Sequence, residues 1–159
     1  VFSDSGTVTA ATSSPLTDGA AALIVCSEEF ASSNNLSPLA RIVSGVVTGC
    51  KPELMGIGPV SATRKLLENT GWDLNSVDVV ELNEAFSSQS LAVISELNLD
   101  PSTVNIDGGA ISIGHPLGAS GARITGKAAS LLNRTGGSRA IATMCIGGGM
   151  GMAIALEKV

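Results

Sequence analysis

The sequence predicts an α/β domain: a mixed, mostly parallel sheet with helices on its faces. Three observations lead there. From Arg41 onward the apolar pattern reads β-α-β-α-β-α-β-β, the alternation that crossover connections between parallel strands produce. Hydrophobic residues make up 44% of the 159 residues but aromatics only 3%, so the core must be Val, Ile, Leu and Ala, as in a sheet covered by helices. The last two strands are joined by a tight glycine bend and must therefore pair antiparallel, which makes the sheet mixed.

The elements follow in order. Residues 1–18 are rich in Ser, Thr, Ala and Gly and read as a loop, closed by the turn Asp18-Gly19. The apolar run 20–25 predicts a short buried strand, and 27–32 the start of a short helix. Asn34-Asn35 and Pro38 form a linker, and the domain boundary falls near Ala40: 1–40 end one unit and 41–159 form the next. Residues 41–48 predict a strand and 52–58 a loop. Pro59 suits the first turn of a helix that Gly71 ends. Residues 77–82 predict a strand. Asn83 can cap the next helix, which has Phe86, Ser90, Val93, Ile94 and Leu97 along one face. Residues 104–106 predict a third strand of this unit, opening into a glycine loop. A helix then runs from about Gly118 to Asn133, and 140–144 and 152–156 predict the closing strands.

Composition excludes several functions. The net charge is −5 with no basic run, whereas a nucleic-acid surface needs clustered Lys and Arg. No apolar run is long enough to span a membrane, and no signal peptide opens the chain. Cys26, Cys50 and Cys145 are far apart and odd in number, which argues against a disulfide framework; no Cys-x-x-Cys pair suggests a metal site. A reducing setting, the cytoplasm or an organelle matrix, fits this usage. The chain opens on Val1-Phe2-Ser3 without methionine and reads as a piece of a longer one.

The chemistry-bearing residues gather in three stretches. His115 is the only histidine, set in Gly108-Gly109-Ala110-Ile111-Ser112-Ile113-Gly114-His115-Pro116-Leu117-Gly118. A lone histidine is more often structural. Here glycines let backbone approach a ligand, and Pro116 keeps the imidazole out of helical geometry. Such a group can move a proton near neutral pH or donate to a developing oxyanion. Cys145 opens Cys145-Ile146-Gly147-Gly148-Gly149-Met150-Gly151. A buried inert thiol is the ordinary reading, yet the bend leaves backbone N–H groups to face a ligand. Cys26 and Cys50 lack this setting and are assigned to packing. Asn83-Glu84-Ala85-Phe86 stands at a strand-to-helix junction. Asn83, the His115 loop and Cys145 are all expected at the carboxyl edge of one parallel sheet, where open α/β folds bind ligands. Two look-alikes are set aside: residues 121–128 resemble a P-loop but end in Ala and read as helix, and Gly56-Ile57-Gly58 lacks a third glycine.

Taken together and in this order, these three stretches resemble the carboxyl-terminal part of a thiolase. Gly6-Thr7-Val8-Thr9-Ala10, Asp18-Gly19-Ala20-Ala21-Ala22 and Met55-Gly56-Ile57-Gly58-Pro59 are also similar to family segments. The resemblance implies the thiolase fold, two βαβαβαββ halves of which residues 41–159 are the second. It implies acyl transfer to coenzyme A, with reversible condensation or thiolysis of 3-ketoacyl-CoA such as acetoacetyl-CoA. Coenzyme A and acyl-CoA are then substrates, with no permanently bound cofactor and no metal. The partners are the missing amino-terminal half, which carries the nucleophilic cysteine, and further copies in a homodimer or homotetramer.

By the same resemblance, His115 activates that cysteine and polarises the thioester oxygen. Asn83 holds the water of that oxyanion site, Cys145 is the acid/base at the substrate α-carbon, and the Gly147 N–H serves a second oxyanion hole. Ser14 approaches coenzyme A and Met55 lines the acyl pocket, with Phe86 as a further substrate contact. Ala11-Thr12-Ser13-Ser14-Pro15 departs from the commoner loop and resembles longer-chain thiolases, which leaves chain length open. Two other readings stand beside the enzyme: a non-catalytic thiolase-like module that binds acyl-CoA or dimerises, and a ketoacyl synthase. The synthase would pair two histidines, or histidine and asparagine, where this chain offers His115 and Cys145.

Overall fold

In the computed structural model, which describes residues 3–159, a single four-stranded sheet runs in the order β1-β4-β3-β2. The strands are β1 (Arg41–Gly49), β2 (Val79–Leu82), β3 (Arg139–Ile146) and β4 (Met150–Glu157). The helices are α1 (Glu28–Ser33), α2 (Gly58–Thr70), α3 (Ser87–Leu97), α4 (Ala110–Ile113) and α5 (Leu117–Thr135). β2 and β3 pair in parallel, whereas β4 pairs antiparallel with both β3 and β1. Three strands therefore point the same way, as the alternation predicts. Because β4 inserts between β1 and β3, two of the three ladders are nonetheless antiparallel.

Strand alternation splits the core into two layers. Val80 and Leu82 of β2, Ile141 of β3 and Ala153 and Ala155 of β4 face Val60, Ala62 and Leu66 of α2 and Val93 and Leu97 of α3. Val79, Ala140, Ala142 and Leu156 face Ile124, Ala128, Leu131 and Leu132 of α5. Both helix ends are set by sequence: Gly71 and Gly136 take left-handed φ of 67° and 78° and close α2 and α5.

The carboxyl ends of β1, β2 and β3 lie on one edge, and backbone contacts fasten it. The three-residue loop 147–149 joins β3 to β4, with Ile146 opposite Met150. The Cys50 N–H donates to the Gly149 carbonyl at 2.7 Å, and Gly149 has φ of 91°. At the start of α2, Gly58 lies so close to Gly151 that a Cβ on either would run into the other's backbone.

Several expectations change. Residues 20–25 form no strand: Ile24 is 92% and Val25 71% exposed, and no neighbouring strand is offered to them among the described residues. Residues 104–106 contribute only a parallel bridge from Val104 to Val80, because Asn105 turns left-handed at φ of 47°. Its side chain replaces the lost ladder: Oδ1 accepts from the Leu82 N–H at 2.9 Å, and Nδ2 donates to the Leu82 carbonyl at 2.8 Å. The expected loop 52–58 is a 3-10 helix over Pro52–Ile57. Asn83 caps no helix; Phe86 stands at the N-cap of α3 and Asn83 is buried. The glycine loop before His115 contains the short helix α4. No helix among the described residues is long and apolar enough to cross a membrane.

Candidate active site

The edge described above assembles the candidate residues from separate elements. Asn83 follows β2 directly, and its N–H donates to the Thr143 carbonyl of β3 at 2.9 Å. His115 follows α4 rather than a strand, and Pro116 caps α5. Two contacts fix that segment. The Glu84 carboxylate accepts from the Ile111 N–H at 3.0 Å and from Asn105 Nδ2 at 3.1 Å. The His115 N–H donates to the Pro15 carbonyl at 3.1 Å, so the strap of residues 13–17 lies across the site. Gly109 and Gly114 leave room that a Cβ would take from Glu84 and Thr17.

The polarity of the imidazole follows from its neighbours. Arg123 of α5 can only donate, and its guanidinium reaches the Gly114 carbonyl at 2.7 Å and Asn83 at 3.4 Å, so the Asn83 atom it meets is Oδ1. Asn83 Nδ2 is thereby turned to His115 Nε2, 3.3 Å away, and Nε2 is the unprotonated nitrogen. At the other side of the ring, Ser120 Oγ lies 2.6 Å from Nδ1. Its hydroxyl hydrogen goes to the Pro116 carbonyl at 3.1 Å, so Nδ1–H donates to Ser120. Burial first, and then the Arg123 charge, hold His115 below the usual imidazole range. At neutral pH it is an uncharged base whose lone pair is on Nε2, where it accepts from Asn83 Nδ2.

Cys145 lies near the carboxyl end of β3, buried at 6% exposure. Burial pushes its thiol up, and the Cys50 thiol adds to that. It rests as a thiol, a proton donor rather than a thiolate. Among the described residues, hydrogen bonds join Asn83 to His115 but neither of them to Cys145. Gly147, one residue past β3, is exposed.

The remaining residues singled out in the sequence surround this edge. Ser14 sends both its N–H and its hydroxyl to the Ala85 carbonyl, at 3.0 and 3.2 Å. Its neighbour Ser13 bridges antiparallel to Phe86, which is half-buried. Met55 is half-buried in the 3-10 turn, with its carbonyl 3.9 Å from Cys50 Sγ. Cys50 lies near enough to Cys145 for its thiol to act on that of Cys145. The P-loop look-alike lies inside α5. Two open apolar clefts of about 630 and 400 Å3 lie elsewhere, lined by residues 22–42 together with parts of α5 and β4, and touch none of the candidate residues. Among the described residues no group of three or more His, Cys, Asp or Glu could hold a metal.

Sequence reasoning missed Ser120, Arg123 and Glu84. Ser120 and Arg123 fall in the helix after His115, at spacings of five and eight, where the first two turns of α5 return to the imidazole.

Comparison with known proteins bears on the whole chain. Residues 36–158 match the thiolase C-terminal domain family and residues 1–29 the thiolase N-terminal domain family. An acetyl-CoA acetyltransferase of Paracoccus denitrificans is 50% identical over 157 residues, 99% of this chain and 40% of that protein. A mitochondrial 3-ketoacyl-CoA thiolase of Bos taurus is 52% identical over 158 residues, again 99% and 40%. The crystal structure of the Bacillus anthracis acetyl-CoA acetyltransferase superposes with a TM-score of 0.98 at 47% identity, over 100% of this chain and 40% of that one. Human mitochondrial 3-ketoacyl-CoA thiolase in complex with CoA superposes at 0.94 with 44% identity and the same coverage. The chain spans about 40% of the length of these relatives. On the family match over residues 36–158 and similarity along its whole length, the chain belongs to the thiolase family.

Proposed function

We propose that the full-length protein is a thiolase that exchanges acyl groups between coenzyme A and a cysteine of its own, cleaving or forming 3-ketoacyl-CoA such as acetoacetyl-CoA. One observation carries this reading: an uncharged imidazole whose basic nitrogen is Nε2, oriented by its hydrogen bond from Asn83, on the same sheet edge as the thiol of Cys145. In thiolysis His115 Nε2 takes the proton of the nucleophilic cysteine, which lies outside this sequence. The thiolate adds to the 3-keto carbon, the carbon–carbon bond breaks, and the acetyl-CoA enolate leaves. Cys145 donates its proton to that enolate carbon, which matches its resting state as a thiol. The second coenzyme A, deprotonated by the Cys145 thiolate, then takes the acyl group from the nucleophile, which leaves as a thiolate and recovers its proton from the His115 imidazolium. Condensation is the same sequence reversed.

Asn83 Nδ2, with a bound water, and His115 serve the first oxyanion, and the Gly147 N–H the second; each such donor is worth about 3–4 kcal/mol of barrier. Ser14, Met55 and Phe86 border the expected path of the acyl-CoA. In this reading residues 1–40 complete the amino-terminal domain, 41–159 form the carboxyl-terminal one, and the enzyme works as a homodimer or homotetramer. Coenzyme A-dependent loss of acetoacetyl-CoA with formation of acetyl-CoA by the full-length enzyme is the test. The 159-residue chain alone is expected to be inactive, since it lacks the nucleophile; robust turnover by it would refute the assignment of roles.

A further inference from the structure

Glu81 is the one charged residue of β2, a strand otherwise made of Val and Leu, and it is only 3% exposed. Its Oε1 is buried without a hydrogen-bond partner. By strand alternation Glu81 shares the face of Val79, which packs on Ile124, Ala128 and Leu131 of α5. Lys127 and then Arg123, one turn apart on that helix, are the cations whose charge acts on its carboxyl, and neither lies within ion-pair distance of it. Lys127 is committed to Asp107 at 3.1 Å, and Asp107 also pairs with Arg134. Arg123 forms no ion pair with a carboxylate among the described residues; its hydrogen bonds go to Gly114 and Asn83.

A buried carboxyl with an orphaned oxygen weakens the fold, and an amide of the same shape would fill the space. What the charge does supply is a negative field on the α5-facing side of β2, two residues before Asn83, whose Oδ1 the Arg123 guanidinium meets. We propose that Glu81 is a positioning residue for the thiolase reaction: its buried carboxylate offsets the Arg123 charge and keeps the guanidinium on Gly114 and Asn83, so that Asn83 Nδ2 stays on His115 Nε2. This rests on the thiolase reading above.

The charged groups around Glu81 bear on its protonation. Burial is the largest influence; Lys127 and Arg123 oppose it, Asp107 and Glu84 reinforce it, and the carboxyl is pushed up to about 7. His115, beyond Arg123, is held below its usual range. Acidification from neutral pH therefore discharges Glu81 first and protonates His115 only lower down.

The test measures kcat and KM for acetoacetyl-CoA thiolysis against pH, with thermal melts, in the full-length wild-type, Glu81→Gln and Glu81→Asp enzymes. Glu81→Gln is expected to lower kcat about 10- to 100-fold with KM changed less than about twofold. Its acid limb should move from near pH 7 to the lower value of His115, while Glu81→Asp restores part of kcat. Because the folded carboxyl binds its proton more tightly than the unfolded chain does, ionisation costs the wild-type fold stability as pH rises toward 7. Glu81→Gln should therefore melt higher than wild type at pH 8, a gain in stability with a loss of rate. If Glu81→Gln does not fold, Glu81→Asp carries the test: a wild-type kcat with an acid limb unmoved from near pH 7 overturns the proposal. Wild-type kcat with an unmoved acid limb, or a rate loss that only follows loss of folded protein, overturns the proposal. A wild-type enzyme without thiolysis overturns the family-level reading as well, so the two failures are distinct.

Discussion

Replacing Ser120 by alanine isolates the device that sets the imidazole tautomer. Ser120 is fully buried, accepts the His115 Nδ1–H at 2.6 Å and passes its own hydrogen to the Pro116 carbonyl. Alanine removes the acceptor and nothing else of size, and it is at least as good a helix former inside α5. The Nδ1–H is then left without a partner, which costs about 1–3 kcal/mol. The ring can relieve this by moving its proton to Nε2, but that turns Nε2 into a donor facing the Asn83 Nδ2 donor 3.3 Å away. Either way the productive tautomer loses about 1–3 kcal/mol, or about 5- to 150-fold in rate. The assay is kcat for acetoacetyl-CoA thiolysis by the full-length Ser120→Ala enzyme, with a thermal melt as control. A kcat within about twofold of wild type would refute the tautomer argument.

Other substitutions address the remaining parts of the edge. Asn83→Asp sets a carboxylate against Nε2, which raises the proton affinity of His115; the base is then charged at neutral pH, the acid limb of the rate profile moves upward, and activity at pH 7 falls at least about 10-fold. Cys145→Ser keeps the volume but offers a far weaker acid, so turnover should fall about 10²–10⁴-fold with coenzyme A binding little changed, as steady-state kinetics and calorimetry would read. Asn105→Ala removes both hydrogen bonds to the buried Leu82 backbone and should cost about 2–4 kcal/mol in a denaturant titration.

Much of this was legible in the sequence because it rests on period and punctuation. The apolar spacing between Pro59 and Gly71, the run before Asn83 and the two strands around Gly147–Gly149 each state their element. The parts that were not legible depend on side chains imitating backbone or on contacts between distant segments. Asn105 replaces a strand with its amide, and no pattern of apolar residues encodes that. Residues 20–25 carry a strand-like composition, but a strand is defined by its neighbour, and composition does not supply one. The capping role given to Asn83 failed because its side chain is drawn to His115 and Arg123 instead. Glu81 did leave a signal, a lone charge within Val79-Val80-Glu81-Leu82, and an acidic residue in a strand buried on both faces calls for a reason beyond packing.

The central claim is that His115 is the base that arms the nucleophile. Its most direct measurement is intact-protein mass spectrometry of the full-length enzyme after brief exposure to acetyl-CoA, for wild type and His115→Ala. The account predicts an acetylated wild-type enzyme and a His115→Ala enzyme that stays unmodified on the same timescale while remaining folded. Acetylation of His115→Ala at the wild-type rate would contradict it.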